Sequence, residues 1–175
     1  MQHVVIVCGY GCHLVPVLQE YLDRIVLFIN EEKPDCLIFC GGFTQRKSAP
    51  GVSEAGMMYC YIIPRLRHSL QLVFLETDSY TSLDNIQLAN KINRRWELTQ
   101  PETKLTVFCE ATRALKHDRM IRKIFRRRAN LETASWELMD PLKQLGSTIY
   151  EWTAMEFPPL ASYFRNKRIR RAEEI

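Results

Sequence analysis

Four short apolar runs, Val4 to Cys8, Cys36 to Cys40, Leu72 to Leu75 and Leu105 to Cys109, constrain this chain most strongly. Each is continuous rather than alternating, which is the pattern of a strand covered on both faces. Each is followed by a longer stretch with helix-spaced apolar residues, roughly 14–32, 53–68, 83–97 and 114–128. In the last of these, Leu115, Ile121, Ile124 and Phe125 are expected to face the sheet. This β-α repetition predicts right-handed crossovers and an α/β, three-layer Rossmann-like fold with a mainly parallel central sheet. With 175 residues and 46 % hydrophobic content, one domain with a sizeable core is expected, carrying a helical elaboration from about residue 141. Beyond residue 129 the pattern weakens. Thr133 to Leu138 reads as a fifth strand, Pro141 to Leu145 as a helix start, and Phe157-Pro158-Pro159 as a break before a last helix.

Several classes are disfavoured early. No run approaches the roughly 18–20 apolar residues that span a bilayer. The opening MQHVVIVCGYG has neither a basic n-region nor a small-residue cleavage site, so no signal peptide is expected. Six cysteines invite a disulfide reading, but Cys8, Cys36, Cys40 and Cys109 lie in or beside strand-like runs, where the thiol acts as a small hydrophobe. There is no CxxC pair and no zinc-ligand spacing. The expectation is a cytoplasmic protein with free thiols.

The carboxyl ends of parallel strands are where such sheets bind ligands, and all four runs end in polar chemistry. The third gives ETDSYTSLDN, residues 76–85, in which Glu76 and Asp84 accompany the hydroxyls of Thr77, Ser79, Thr81 and Ser82 and the amide of Asn85. Ser82, Asp84 and Asn85 alone suffice to start a helix, so this segment is either a cap or a site. The first run ends in Gly9-Tyr10-Gly11, a tight turn or a close backbone approach. It lacks the third glycine of a dinucleotide fingerprint. The second ends in Gly41-Gly42 and a long polar loop to Val52, then Ser53-Glu54-Ala55. The glycines suit close approach of the backbone to a ligand, and Ser53 is either a plain N-cap or part of an anion-binding helix start. The fourth leads through Glu110 to Arg113 and Lys116, cations suited to a phosphate or carboxylate. His117 alone reads as a surface or packing residue.

Taken together, the Gly41-Gly42 pair, Ser53-Glu54-Ala55 with Met58, the Glu76, Ser79 and Asn85 spacing, and the basic pair after the fourth strand resemble the DUF218 (YdcF-like) family. The resemblance covers about residues 4–125. Thr81, Ser82 and Asp84 stand where that family has Asn, Thr and Glu. In its last motif, Arg113 falls at the family's His and Lys116 at its Arg; a shifted register would use Lys116 and Arg119. An arginine stays protonated, so a general acid/base role at that position does not carry over. The resemblance implies a Rossmann-like fold and an unassigned activity.

Two functional classes follow. The first is a binding domain or enzyme for a small anionic or nucleotide-like ligand, such as S-adenosylmethionine or a nucleotide sugar. Glu54, Glu76 and Asp84 are its candidate catalytic groups, with Mg²⁺ as a candidate ion. Gly9, Gly11, Gly41, Gly42, Ser53, Ser79, Thr81, Ser82, Asn85, Arg113 and Lys116 are its candidate ligand contacts. The second is nucleic-acid binding, since eight of the 24 Lys/Arg lie in residues 112–128 and five more in 165–171. Against it stand a net charge of only +4 and the absence of a helix-turn-helix, RRM or zinc pattern. An interaction module built on Trp152, Phe157, Tyr163 and Phe164 is a third reading, with core packing as its plainer counterpart.

Overall fold

A computed structural model describes residues 2–134 and 141–174 of the chain. The four expected strands form and a fifth joins them: β1 (His3–Cys8), β2 (Cys36–Cys40), β3 (Leu72–Glu76), β4 (Lys104–Glu110) and β5 (Asn130–Ala134). All pair in parallel, in the order β3-β2-β1-β4-β5. The expected fifth strand thus begins at Asn130, and residues 135–138 of that expectation lie outside the described residues. Among the described residues six α-helices accompany the sheet: α1 (Pro16–Glu32), α2 (Glu54–Ile62), α3 (Ser82–Arg95), α4 (Ala114–Ile124), α5 (Pro141–Glu156) and α6 (Pro158–Glu174). This is the α/β, Rossmann-like arrangement that the apolar pattern predicts. Among the described residues no helix is long and apolar enough to cross a membrane.

Successive strand residues point to opposite faces, and the core divides accordingly. Val5, Val7, Leu37 and Phe39 pack against α1 and α2, while Val4, Ile6, Cys36 and Ile38 pack against α3, α4, α5 and α6. Fully burying such side chains contributes about 1.5–3 kcal/mol each, so β1 and β2, buried along their whole length, anchor the fold. α1 starts with Pro16 at its first turn, where a missing N–H costs nothing, and buries Leu18, Tyr21, Leu22, Ile25, Val26 and Ile29 along one stripe. The stretch 53–68 is shorter as a helix than its periodicity suggests. Pro64 lacks a donor, and the chain tightens into a 3₁₀ turn at Ile63–Arg65.

Two expectations about burial need correction. β3 is the edge strand beyond β2, and Leu75 is 43 % exposed rather than covered on both sides. On α4, Leu115 faces solvent at 64 % exposure, whereas Lys116, His117, Met120 and Ile121 turn inward. A 3₁₀ turn at Ala111–Arg113 precedes α4 and sets its phase. The inward stripe starts one residue later, because Glu151 of α5 offers buried Lys116 an ion pair at 3.2 Å. Of the aromatic tail, Phe164 packs against the core, while Phe157 and Tyr163 are exposed.

Candidate functional site

Because the strands run one way, the loops after β1, β2, β3 and β4 share an edge. The switch point of the strand order lies there, between β1 and β4. Tyr10, just past β1, bridges that gap: its hydroxyl accepts the Glu110 N–H at 2.7 Å, and the Arg113 guanidinium lies 4.5 Å from its ring centroid. α6 crosses the same edge and is tied to two loops. The Arg46 N–H donates to the Ala172 carbonyl at 3.1 Å, Arg46 pairs with Glu173 at 3.5 Å, and Arg165 donates to the Asp78 carbonyl at 2.9 Å.

Between these elements lies a cavity of about 430 Å³. Of the candidate residues, Gly9, Gly11, Glu54, Ser79 and Asn85 line it, as do Thr81, Ser82, Arg113 and Lys116. Gly41, Gly42, Ser53, Glu76 and Asp84 are not part of its lining. Each of these five has another duty. Ser53 is the N-cap of α2 and accepts from the Gly56 N–H at 3.0 Å. The Glu54 and Ala55 N–H groups are taken by the Gly42 and Gly41 carbonyls, so the start of α2 offers them to no ligand. Asp84 closes a capping box with Thr81 and accepts from the N–H of Tyr80 and Thr81. Glu76 accepts the Asp78 N–H at 2.7 Å, and its other oxygen is buried without a hydrogen-bond partner of ordinary geometry. Burial raises its pKa, against the lowering influence of the neighbouring Ser79 side chain and the Asp78 N–H.

The glycines do allow close approach, but the approaching group belongs to the protein. A Cβ on Gly9 would sit 2.5 Å from Glu54 Oε2, and one on Gly41 2.5 Å from Glu54 Cβ. A Cβ on Gly42 would meet the Ser79 carbonyl oxygen at 2.3 Å. Gly9 and Gly41 therefore form a cradle for the Glu54 side chain. Gly11 at φ +113° and Gly51 at φ +73° also have backbones that favour glycine, and Gly41 lies at φ +157°.

Glu54 lies at the wall of the cavity, 8 % exposed, with Oε1 accepting the Thr44 hydroxyl. Burial pushes its carboxyl up in pKa, while Thr44, Arg113, the Gly11 N–H and Arg168 pull it down. Such a group can hold or release a proton beside a bound anion. Burial lowers the Lys116 ammonium, Glu151 opposes this, and Arg113 and Arg168 add to the lowering. His117 is buried, its Nδ1 lies 3.0 Å from the Arg113 carbonyl, and burial, then Lys116, lowers it to about 3. A carbonyl only accepts, so Nδ1 carries the proton. His117 is a packing residue that fixes the turn presenting Arg113.

The cavity also contains residues outside the candidate set. Tyr10, Thr44 and Gln45 come from loops already singled out, while Ser147 and Glu151 come from α5 and Arg168 and Arg171 from α6. Their spacing, i and i+4 on α5 and i and i+3 on α6, puts each pair on one helix face. That spacing was visible in the sequence, but which way the face turns was not. Among the described residues no three His, Cys, Asp or Glu side chains gather as a metal-holding group, so the donor set does not fit Mg²⁺ held by the protein alone. Searches against family models, curated proteins and solved structures returned no match to this chain.

Proposed function

We propose that this chain binds a small phosphate-bearing, nucleotide-like ligand in the cavity at the carboxyl edge of its sheet. One observation carries the reading: Arg113 and Lys116 after β4, and Arg168 and Arg171 on α6, converge on one cavity at the switch point. Two carboxylates line the same cavity. Glu151 is committed to Lys116, and Glu54 has a raised pKa. The balance favours an anion. Thr81 and Ser82 add the positive end of the α3 dipole and hydroxyl donors. A nucleotide or nucleotide sugar suits this charge, whereas the sulfonium of S-adenosylmethionine would face the same cations.

Where turnover accompanies binding, Glu54 is the proton-transfer residue, since it alone of Glu54, Glu76 and Asp84 lines the cavity. Arg113 and Lys116 both lie there, while Arg119 stacks on Trp152 at 4.4 Å. This favours the first register of the last DUF218-like motif and supports reading the chain as a diverged relative of that family. The basic helix offers little to nucleic acid. Lys116 is buried, Arg122 pairs with Asp118, Lys123 pairs with Glu156, and Arg127 donates to the Gln100 carbonyl. We also place the protein in the reducing cytoplasm, which all six cysteines being unpaired supports. Six titratable thiols under denaturing, non-reducing conditions are expected.

The binding test is calorimetric titration with inorganic pyrophosphate, a nucleoside diphosphate and S-adenosylmethionine. Wild-type protein is expected to bind the first two, and Arg113→Ala with Arg168→Ala to weaken both by about 100-fold, at roughly 1.4 kcal/mol per cation lost. No binding of any phosphate compound at millimolar concentration refutes the reading. Salt-sensitive retention on heparin that survives the double substitution supports the nucleic-acid reading instead.

A further inference from the structure

A second cavity of about 330 Å³ opens between α5 and α6 and adjoins the first. The two share Ser147, Arg168 and Arg171, so the same pair of guanidinium-bearing residues forms part of the wall of both. The chemistry changes across that wall. The first cavity is polar and holds Glu54, Arg113 and Lys116. The second is lined by Tyr150 and Phe164, whose rings are in contact with one another. Lys167 stands at its side.

We infer that the groove between α5 and α6 is the subsite for a planar ring, and that the ligand is a nucleoside phosphate lying across both cavities. This rests on reading the first cavity as the phosphate site. A bare phosphate or pyrophosphate would fill only part of the first cavity, which is already in the range of about 300–1,000 Å³ typical of small-molecule sites. An aromatic base laid over the Tyr150–Phe164 pair is stabilised by stacking that tolerates any base, because every base has a π face. Its sugar then passes Ser147, and its phosphates reach Arg168 and Arg171, one helical turn apart on α6. From there the terminal phosphoryl group points toward Arg113, Lys116 and Glu54. The aromatic pair belongs to the second cavity, Ser147, Arg168 and Arg171 to the wall the two share, and Arg113, Lys116 and Glu54 to the first, which matches a ring, a linking sugar with its first phosphate, and a terminal phosphate.

Gly146 gives a clean way to close the second cavity. It lies within α5 and lines the groove, and a Cβ there would meet nothing within 4 Å. Gly146→Leu improves helix propensity and puts a side chain into the groove. The probes are adenosine diphosphate, adenosine and inorganic pyrophosphate, titrated calorimetrically into the full-length chain. Wild-type protein is expected to bind adenosine diphosphate about tenfold tighter than pyrophosphate, the size of one stacked base. Gly146→Leu should erase that difference while leaving pyrophosphate affinity unchanged. If it fails to fold by circular dichroism, Tyr150→Leu should produce the same loss. Equal wild-type affinity for adenosine diphosphate and pyrophosphate, or a Gly146→Leu protein with undiminished adenosine diphosphate binding, overturns the subsite and leaves the phosphate reading standing. Tight binding of adenosine with no binding of pyrophosphate overturns the phosphate reading, and the proposed orientation with it.

Discussion

β2 and β3 are neighbouring strands whose loops each bring a glutamate to the same edge, yet Glu54 lines the cavity and Glu76 does not. Glu76 is the last residue of β3, and the chain turns over it at once, so the carboxylate accepts a backbone N–H two residues on. Glu54 comes a full loop after β2, at the first turn of α2, and its side chain leans back across Gly9 and Gly41. Distance along the chain from the strand end therefore separates the two. Glu76, which ends its strand, is captured by its own turn, whereas Glu54, on the helix that follows, faces the cavity. The helix starts differ in the same way. The first N–H groups of α2 are taken by the Gly42 and Gly41 carbonyls, while at α3 Thr81, Ser82 and Asn85 face the cavity.

The largest effect that bears on this contrast comes where the two loops touch. Gly42→Ala pushes a Cβ against the Ser79 carbonyl, and backbone cannot yield as a flexible side chain can. A loss of about 3 kcal/mol in urea unfolding, or failure to fold, is expected. Near-normal stability would mean the loops are not packed as described. Next comes Glu76→Ala, which strips the Asp78 N–H of its acceptor and opens a buried space. About 2 kcal/mol of stability should go, with pyrophosphate affinity per folded molecule unchanged. If affinity falls with stability, Glu76 has a functional role as well.

Glu54→Gln sharpens the comparison through pH. Its folded pKa is raised, so the folded state holds its proton more tightly than the unfolded chain does. Stability from this group is full below the ordinary carboxylate value and is lost as pH rises through the folded pKa. Over the same window ionised Glu54 repels a bound anion. Pyrophosphate affinity of the wild type should therefore fall with rising pH, and that of Glu54→Gln should fall less. Identical pH profiles would remove Glu54 from the site. The smallest effects separate the two caps. Ser53→Ala and Thr81→Ala should each cost about 1 kcal/mol of stability, but only Thr81→Ala should also weaken pyrophosphate binding, because Thr81 lines the cavity and Ser53 does not. Equal effects of the two substitutions on binding would erase the distinction between the helix starts.

Much of the scaffold is legible in the residues, because strands buried on both faces need continuous apolar runs and helices need a 3.6-residue stripe. Cys36 to Cys40 is a strand of the expected length to the residue. The edge loops are legible too, since parallel strands must release them on one side. The glycines are less legible. Gly41 and Gly42 suit the approach of a ligand, and only the packed loops reveal Glu54 and Ser79 as the groups that need the space. Leu115 leaves its expected inward place because a 3₁₀ turn sets the phase of α4, and the partner of buried Lys116, Glu151, lies 35 residues further along the chain.

By itself, the sequence determined the parallel α/β scaffold and the edge at which polar loops gather. Both are consequences of local periodicity and of the single direction that crossovers impose. The tertiary structure alone decided which carboxylate faces the cavity and that the basic tail closes over it. Arg168 and Arg171 carry no local mark of their destination. They join Arg113 and Lys116 because Leu160, Ala161 and Phe164 bury α6 against the core and thereby turn its basic face to the sheet edge. Long-range burial and the pairing of distant charges depend on where a helix docks, which no window of neighbouring residues specifies.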